Sequence, residues 1–169
     1  MKFFPAALMI FLFLPVALSW PDAFCDLFTP VVIDNAIPGA YQVAVTDINR
    51  DGKLDIATLG EGESGVYWYE NPSWKRRIIC EKGLNRFIDF AFYDLDRDGE
   101  LECALASGFS LDPAQSEGAI SWLDREGDWD RSWTIHAIHR EPTTHRLRWA
   151  DGNGDGKAEL IAAPIAGIG

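Results

Sequence analysis

The chain has 169 residues, of which 47% are hydrophobic, 12% aromatic and 24% charged. This length and composition are typical of one globular domain with a packed core and exclude a disordered tail. Fifteen lysines and arginines against 26 aspartates and glutamates give a net charge of -11. Binding to nucleic-acid phosphates or to an anionic membrane surface needs a basic footprint, so we exclude both as partners and expect cations as ligands.

The first residues have the pattern of a secretory signal peptide. Residues 1–19 contain one charged residue, Lys2, and a long apolar run that ends in Ala17-Leu18-Ser19. Small residues at the end of such a run fit a cleavage site. The run is shorter than the ~20 residues that a membrane span needs, and two prolines interrupt it. We therefore expect removal of this segment, no membrane span afterwards, and a secreted, extracellular protein, or a periplasmic one if the source is bacterial.

Three cysteines, Cys25, Cys80 and Cys103, cannot all pair within one chain. No C-x-x-C spacing indicates a zinc site or a redox pair. Cys103 lies in an apolar run and is predicted to be a small buried hydrophobic residue. A disulfide between Cys25 and Cys80 is compatible with export, and the sequence leaves that pairing open.

Three acidic segments align with one another without a gap. Loop 1 is DINRDGKLD at 47–55, loop 2 is DLDRDGELE at 94–102, and loop 3 is DGNGDGKAE at 151–159. Acid or asparagine recurs at the first, third, fifth and ninth positions, and glycine at the sixth. Self-similarity at a period near 50 residues indicates stacked supersecondary units.

The residues that flank these loops show the pattern of β-strands. A short apolar run precedes each loop and another follows it, and two of the units continue with an aromatic strand and a fourth strand. Four short strands in about 50 residues predict a blade of a β-propeller. The predicted strands around the loops are 41–46, 54–59, 88–93, 101–106, 145–150 and 158–163, and the aromatic strands are 66–70 and 120–124.

The predicted fold class is all-β, a partial β-propeller of about two and a half four-stranded blades. Repeats are expected over 26–169, with blades at about 40–82, 87–139 and, incomplete, 144–169. Propellers have 4 to 8 blades, so the chain is expected to be a fragment of a larger ring, a shortened gene product, or one of several copies that assemble a ring. Residues 31–33 are predicted to form an outer strand, and 108–117 an inserted loop.

These loops and strands resemble the FG-GAP or VCBS repeats of calcium-binding propellers. The stretch GVYWYENP at 65–72 with Trp74, and HRLRWADGNGDGKAELIAAPIAG at 145–167, are similar to the propeller of aldos-2-ulose dehydratase-like proteins. The first resemblance implies a secreted repeat module that binds Ca²⁺. The second implies a carbohydrate lyase in which a metal and a histidine help to remove a proton next to a carbonyl group.

Each loop has the oxygen donors of a calcium site. Calcium takes six to eight hard oxygen ligands, and alternate residues of a tight turn direct their side chains at one ion. We predict side-chain ligands at positions 1, 3, 5 and 9 and a carbonyl ligand at position 7. These are Asp47, Asn49, Asp51, Lys53 and Asp55 in loop 1, Asp94, Asp96, Asp98, Glu100 and Glu102 in loop 2, and Asp151, Asn153, Asp155, Lys157 and Glu159 in loop 3.

The same acidic segments have two alternatives to this calcium site. An EF-hand needs a glutamate at position 12, where this chain has Thr58, Leu105 and Ala162. An Asp- and Gly-rich turn that binds no ion is the other alternative. Loop 2 has four side-chain carboxylates and the other loops have three each, so loop 2 is predicted to bind calcium most tightly.

The opposite ends of the innermost strands contain the other candidate site. These strands start near Tyr41, Ile88 and His145, and loops on a rigid frame commonly bind ligands. His145 is the candidate catalytic residue, and Arg146 and Arg148 are candidate ligand-binding residues. Structural alternatives are a hydrogen bond of His145 at a blade junction and ion pairs of the arginines with acids.

Two functions follow from these residues. The first is a secreted, calcium-stabilised module that binds or scaffolds a carbohydrate or a protein partner. The second, which depends on the resemblance, is the N-terminal part of a carbohydrate lyase. No catalytic motif in the sequence decides whether the chain is an enzyme.

Overall fold

The computed structural model describes residues 29–60 and 65–165. Those residues form ten β-strands and no helix, so the predicted all-β class is confirmed. The predicted signal peptide at 1–19 and Cys25 lie outside the described residues. Contacts divide the chain into a unit at 1–33, of which only 29–33 is described, and a unit at 34–169.

The strands are short and follow one another closely along the chain. They form a first sheet in the order β1-β2-β3-β4, a second in the order β5-β6-β7-β8, and a third of β9 and β10. All pairs are antiparallel. The strands are β1 Ala40–Thr46, β2 Asp55–Gly60, β3 Val66–Glu70, β4 Lys75–Cys80, β5 Asp89–Tyr93, β6 Glu102–Ser107, β7 Ala119–Asp124, β8 Thr134–Arg140, β9 Thr144–Ala150 and β10 Glu159–Pro164.

Sequential antiparallel strands joined by short turns are the construction of propeller blades. The sheets of four, four and two described strands give the partial propeller that the repeats predict, and none of them closes on itself. The longer connection at 108–118 lies between β6 and β7, where the insertion was expected. The strand predicted at 31–33 is wrong, because those residues have no strand pairing in the structure.

The acidic loops connect the first two strands of each sheet. The sixth residue of each loop is a glycine with positive φ, +85° in Gly52, +87° in Gly99 and +83° in Gly156. This left-handed conformation is strained for residues with a Cβ atom, which explains the recurring glycine. The same three hairpins therefore turn with nearly the same backbone geometry.

Two hydrophobic clusters lie where neighbouring sheets pack. One combines residues of the first two sheets, including Trp68, Phe90 and Leu105, and the other joins the second and third sheets through Ala104 and Leu147. All six residues of β6 are buried. Burial on both faces is expected of a strand in a sheet that packs between two others, and it explains the continuous apolar run in this part of the sequence.

The first strand differs from β6. Ala44 packs against the first cluster, whereas Val43 and Val45 on the opposite face are 62% and 58% exposed. Their equivalents in the second sheet, Phe90 and Phe92, pack into the first cluster. Among the described residues, β1 is therefore covered on one face only.

The two described cysteines are buried free thiols, Cys80 at the end of β4 and Cys103 in β6. Burial raises the pKa of Cys80 to about 11 and raises that of Cys103 further. Because the thiolate is the reactive form, both side chains act as packing residues, as predicted for Cys103. No helix in the described ranges is long and apolar enough to span a bilayer.

Candidate functional site

Loop 1 satisfies most of its carboxylates with its own N–H groups. The two oxygens of Asp47 accept hydrogen bonds from the backbone N–H groups of Asp51 at 3.1 Å and Gly52 at 2.9 Å. Asp51 accepts from the backbone N–H and the Nζ of Lys53, the latter at 2.7 Å. These bonds lower the pKa of Asp51, and the side-chain bond from Lys53 is the largest cause. Three of the predicted side-chain ligands of loop 1 thus have internal partners, since Asn49 also accepts from the N–H of Asp51.

The fourth predicted ligand of loop 1, Asp55, is completely buried. Its Oδ2 accepts a hydrogen bond from the N–H of Ile48 at 3.0 Å, and its Oδ1 accepts one from the N–H of Asn71 at 2.9 Å. Both oxygens therefore connect the loop to its own strand and to the turn after β3. The acids of loop 1 do not form one of the acidic groups that could hold an ion among the described residues.

Loop 2 brings three of its predicted ligands together. Asp94, Asp96 and Glu102 each present a carboxylate oxygen, and these oxygens lie within 4.8 Å of one another. The Oδ1 of Asp94 is buried and lacks a hydrogen-bond partner among the described residues. An unsatisfied buried carboxylate oxygen is costly, and a bound cation would remove that cost. This oxygen distinguishes loop 2 from the other two loops.

The charges of loop 2 repel one another. Burial raises the pKa of Glu102, and the nearby carboxylates of Asp96 and Asp98 raise it further, against a hydrogen bond from the N–H of Leu95. Asp98 lies outside the group of three and accepts from the N–H of Glu100. The side chain of Glu100 pairs with Arg125, which leaves only its backbone carbonyl for the ligand role predicted at position 7.

Three acids of loop 3 also lie close together, but at the surface of the molecule. Asp151, Asp155 and Glu159 present oxygens within 4.8 Å of one another, and all three residues are exposed. Backbone N–H groups lower the pKa of Asp151, with that of Gly156 as the largest cause. Glu159 accepts from the N–H of Gly152 and from the side-chain amide of Asn153, both at 2.8 Å.

The donor sets of loops 2 and 3 fit calcium. All the gathered side-chain donors are carboxylates, which are hard oxygen ligands that calcium prefers over nitrogen or sulfur. In loop 2 the buried Oδ1 of Asp94 is a further reason to expect a bound cation. In loop 3 the backbone turns with the same geometry as in loop 2. Bound calcium would neutralise the repelling carboxylates and hold the turn between the first two strands of a sheet.

The other candidate site lies at the start of the innermost strands. Arg148 donates from Nη1 to Oδ2 of the buried Asp89 at 2.9 Å, and the N–H of Leu147 donates to the same oxygen at 2.8 Å. Arg148 thus pairs with an acid of the neighbouring sheet, which was the structural alternative to ligand binding. The side chain of Arg148 is 59% exposed, whereas that of Asp89 is completely buried.

Tyr41, His145 and Arg146 meet at the same end, and we call them the strand-start cluster. The hydroxyl of Tyr41 lies 3.1 Å from Nε2 of His145, and Arg146 places Nη1 3.3 Å from that nitrogen and Nη2 3.4 Å from the hydroxyl. Because a guanidinium only donates, Nε2 of His145 is an acceptor and its proton lies on Nδ1. Burial and the charge of Arg146 lower the pKa of His145, which agrees with a neutral ring.

Sequence reasoning identified His145 and Arg146 but missed the part played by Tyr41 and Phe109. Tyr41 starts β1, and Phe109 follows β6 and lies 5.5 Å from the ring of His145 between centroids. The signal was the repeat itself, because Tyr41 and His145 occupy equivalent positions at the starts of two innermost strands. Strands that start at the same end of stacked sheets bring such residues together.

Comparisons with known proteins agree with this architecture. Residues 47–105, which contain loops 1 and 2, match the FG-GAP-like repeat family. Over 157 residues the chain is 22% identical to aldos-2-ulose dehydratase of Phanerodontia chrysosporium, and the match covers 82% of this chain. The chain spans 17% of the length of that relative. No solved structure matches the chain.

The family match and the geometry concern the same residues. Loops 1 and 2 and the strands β2 to β5 lie inside the matched segment, and the third hairpin repeats their backbone turn. The predicted resemblance is confirmed: residues 47–105 match an FG-GAP-like repeat, and the chain is similar to aldos-2-ulose dehydratase.

Proposed function

We propose that the chain is a secreted calcium-binding repeat module, in which the ion orders the acidic hairpins, and that the opposite end of the sheets binds a carbohydrate or a protein partner. The observation that supports calcium binding most directly is the buried, unpartnered Oδ1 of Asp94 beside Asp96 and Glu102. Loop 2 should bind most tightly, since it has the most predicted carboxylate ligands and, among the described loop residues, the one buried carboxylate oxygen without a hydrogen-bond partner.

Secretion is supported by the sequence of residues 1–19 and by the chemistry of the ligand. Extracellular fluids hold millimolar calcium, which matches the weak to moderate affinity of sites on exposed loops. The buried thiols of Cys80 and Cys103 do not depend on a reducing compartment, because their burial already prevents reaction.

Thermal melting in calcium and in chelator tests the calcium proposal. Calcium at about 100 times its Kd should stabilise the chain by about 2.7 kcal/mol for one site. Asp94→Asn should remove most of this gain and leave melting in chelator unchanged, because Oδ1 of Asp94 has no hydrogen bond to lose. Asp98→Ala should also lower stability in calcium more than in chelator.

Glu126→Gln is the matched control, since Glu126 is an exposed acid outside the three loops. It removes the same charge and should leave the calcium response intact. Equal melting of the unchanged chain in calcium and in chelator would contradict the proposal.

The second candidate function is a carbohydrate lyase of the aldos-2-ulose dehydratase type, to which this chain would contribute the N-terminal part. It is favoured by the similarity to that enzyme and by the neutral ring of His145, whose Nε2 acts as an acceptor. In this role His145 would be the base that takes the proton next to a carbonyl, while a bound metal would polarise that carbonyl.

Activity towards keto-sugars separates the two candidates. If the chain is a lyase, His145→Ala should abolish dehydration without altering the melting temperature in calcium. A folded, calcium-binding chain with no dehydration activity would contradict the lyase and would leave the binding module as the proposed function.

A further inference from the structure

We propose that the strand-start cluster of Tyr41, His145 and Arg146 binds the carboxylate of a small ligand, such as a sugar acid. This inference rests on the ligand binding proposed above for this end of the sheets, and it specifies the chemical class of the ligand.

Arg146 is the exception among the half-buried arginines of the described residues. The others are Arg77, Arg86 and Arg125, and each of them pairs with a glutamate. Arg146 has no carboxylate partner in the described part of the chain, although acids outnumber basic residues by 11. It donates instead to the carbonyl of His145 and lies against Tyr41 and the imidazole of His145. A half-buried guanidinium in so acidic a chain would gain from an acid, and a ligand can supply one.

The cluster holds its polar atoms close together and facing one another. The guanidinium of Arg146, the hydroxyl of Tyr41 and Nε2 of His145 lie between 3.1 and 3.4 Å apart. A planar carboxylate can accept two parallel hydrogen bonds from a guanidinium and one from a hydroxyl, which matches this set of groups. Arg146 now donates to neutral atoms only, at 2.8 Å to the carbonyl of His145 and at 3.3 and 3.4 Å to the side chains, and a carboxylate would offer charge-assisted bonds in place of the two long ones.

The surroundings favour an anion attached to a ring. Asp89, the buried acid at the start of β5, already pairs through Oδ2 with Arg148 and with the N–H of Leu147. It is therefore engaged elsewhere, and the positive charge of Arg146 has no carboxylate partner among the described residues. Tyr41 is 46% exposed, and Phe109 packs beside His145, so aromatic faces border the polar atoms. Sugar rings commonly pack on such faces, because their C–H groups are apolar.

Binding measured by calorimetry to the full chain in calcium tests this inference with three probes. D-glucuronate carries the carboxylate on a pyranose ring, D-glucose is the neutral counterpart, and acetate carries the carboxylate alone. We expect D-glucuronate to bind and D-glucose to bind at least tenfold more weakly, since charge-assisted hydrogen bonds are the strong ones. Acetate binding as tightly as D-glucuronate would support the carboxylate site and assign it to simple acids.

Variants locate the binding. Arg146→Gln should weaken D-glucuronate binding about tenfold or more, and Tyr41→Phe about threefold. Arg131→Gln removes a charge from an exposed arginine in the turn before β8, and it should leave the affinity within twofold. The melting temperature in calcium should be unchanged in all three, which shows that the chain still folds.

Other results would overturn the inference. Equal binding of D-glucose and D-glucuronate would exclude a carboxylate site while leaving the proposed carbohydrate binding in place. An equal loss in Arg131→Gln and Arg146→Gln would show attraction to net charge only. Absence of binding by every probe, with an intact calcium response, would refute the site without affecting the calcium proposal.

Discussion

Loops 1 and 2 have nearly the same sequence pattern and the same backbone turn, yet their carboxylates have different partners. In loop 1 the ninth residue, Asp55, is completely buried, and each of its two oxygens accepts a hydrogen bond from a backbone N–H group. In loop 2 the ninth residue, Glu102, accepts from one N–H and gathers with Asp94 and Asp96. Loop 1 is satisfied as a turn, whereas loop 2 concentrates negative charge around an unpartnered oxygen.

Side-chain length explains this difference. Asp55 has one methylene group, so its carboxylate stays beside the backbone, where the N–H groups of Ile48 and Asn71 reach it. Glu102 has one methylene group more, and its carboxylate extends to the acids at the start of its loop. A change of one carbon at position 9 therefore decides whether this carboxylate stays beside the backbone or joins the other acids of its loop.

The largest expected effect comes from replacing both ninth residues by their amides. Asp55→Asn puts an NH₂ group against a backbone donor that is now satisfied, so it should destabilise the chain by about 1–3 kcal/mol in calcium and in chelator alike. Glu102→Gln should remove the calcium-dependent gain in stability. In chelator it should not destabilise the chain, because the raised pKa of Glu102 shows that its charge is unfavourable there.

Urea denaturation of both variants, with calcium and with chelator, measures this contrast. The sign follows from the proton linkage: a folded-state pKa above the unfolded value means that stability falls as pH rises through the folded pKa. A calcium-dependent loss in Asp55→Asn as large as that in Glu102→Gln would show that the two loops bind the ion in the same way.

Much of the fold was predictable from the repeat. The three acidic segments fixed the register, and strict spacing then placed the strands before and after each loop within about one residue of those observed. Exposure was not predictable in the same way, as β1 shows. Val43 and Val45 have the apolar character of a covered strand, but burial depends on which sheet lies alongside, and strand periodicity does not contain that information.

The candidate sites were predictable only in part. The pattern of acids identified all three loops, but it could not show that Asp51 pairs with Lys53 or that an oxygen of Asp94 lacks a partner. Those differences arise from side-chain conformations and from residues outside the motif. At the other end, His145 and Arg146 stood out as polar residues in strand starts, whereas their contact with Tyr41 joins residues 104 or more positions apart.

A smaller effect is expected from the cation of loop 1. Lys53 donates to Asp51 at 2.7 Å and so competes with an ion for that carboxylate. Lys53→Met should tighten calcium binding at loop 1 by about two- to fivefold, the range expected when an exposed ion pair is removed. Calorimetry in a background with Glu102→Gln and Glu159→Gln, which removes a carboxylate from loop 2 and one from loop 3, would measure this affinity.

The matched change in loop 3 is Lys157→Met. Lys157 occupies the equivalent position but forms no ion pair in the described part of the structure. It should therefore alter calcium affinity less than Lys53→Met does. Equal effects of the two substitutions would show that the general field of a lysine, and not its contact with Asp51, weakens loop 1.

The smallest expected difference concerns the glycines at position 6. Gly52→Ala and Gly99→Ala both place a Cβ atom on a residue with φ near +86°, and each should cost about 1–2 kcal/mol. A Cβ at Gly52 meets open space, whereas one at Gly99 would overlap the guanidinium of Arg50 from loop 1. That guanidinium is the end of a long exposed side chain, and it donates only one bond, to the carbonyl of Asp98 at 3.3 Å.

Arg50 can therefore move aside, and Gly99→Ala should exceed Gly52→Ala by only about 0.5 kcal/mol in urea denaturation. A much larger excess would mean that Arg50 is held in place against loop 2 and connects loops 1 and 2. In that case the difference between loops 1 and 2 would not be a property of each hairpin alone, because Arg50 of loop 1 would stabilise loop 2. Arg50→Gln would then reproduce the excess in the presence of Gly99, whereas a mobile Arg50 predicts almost no change.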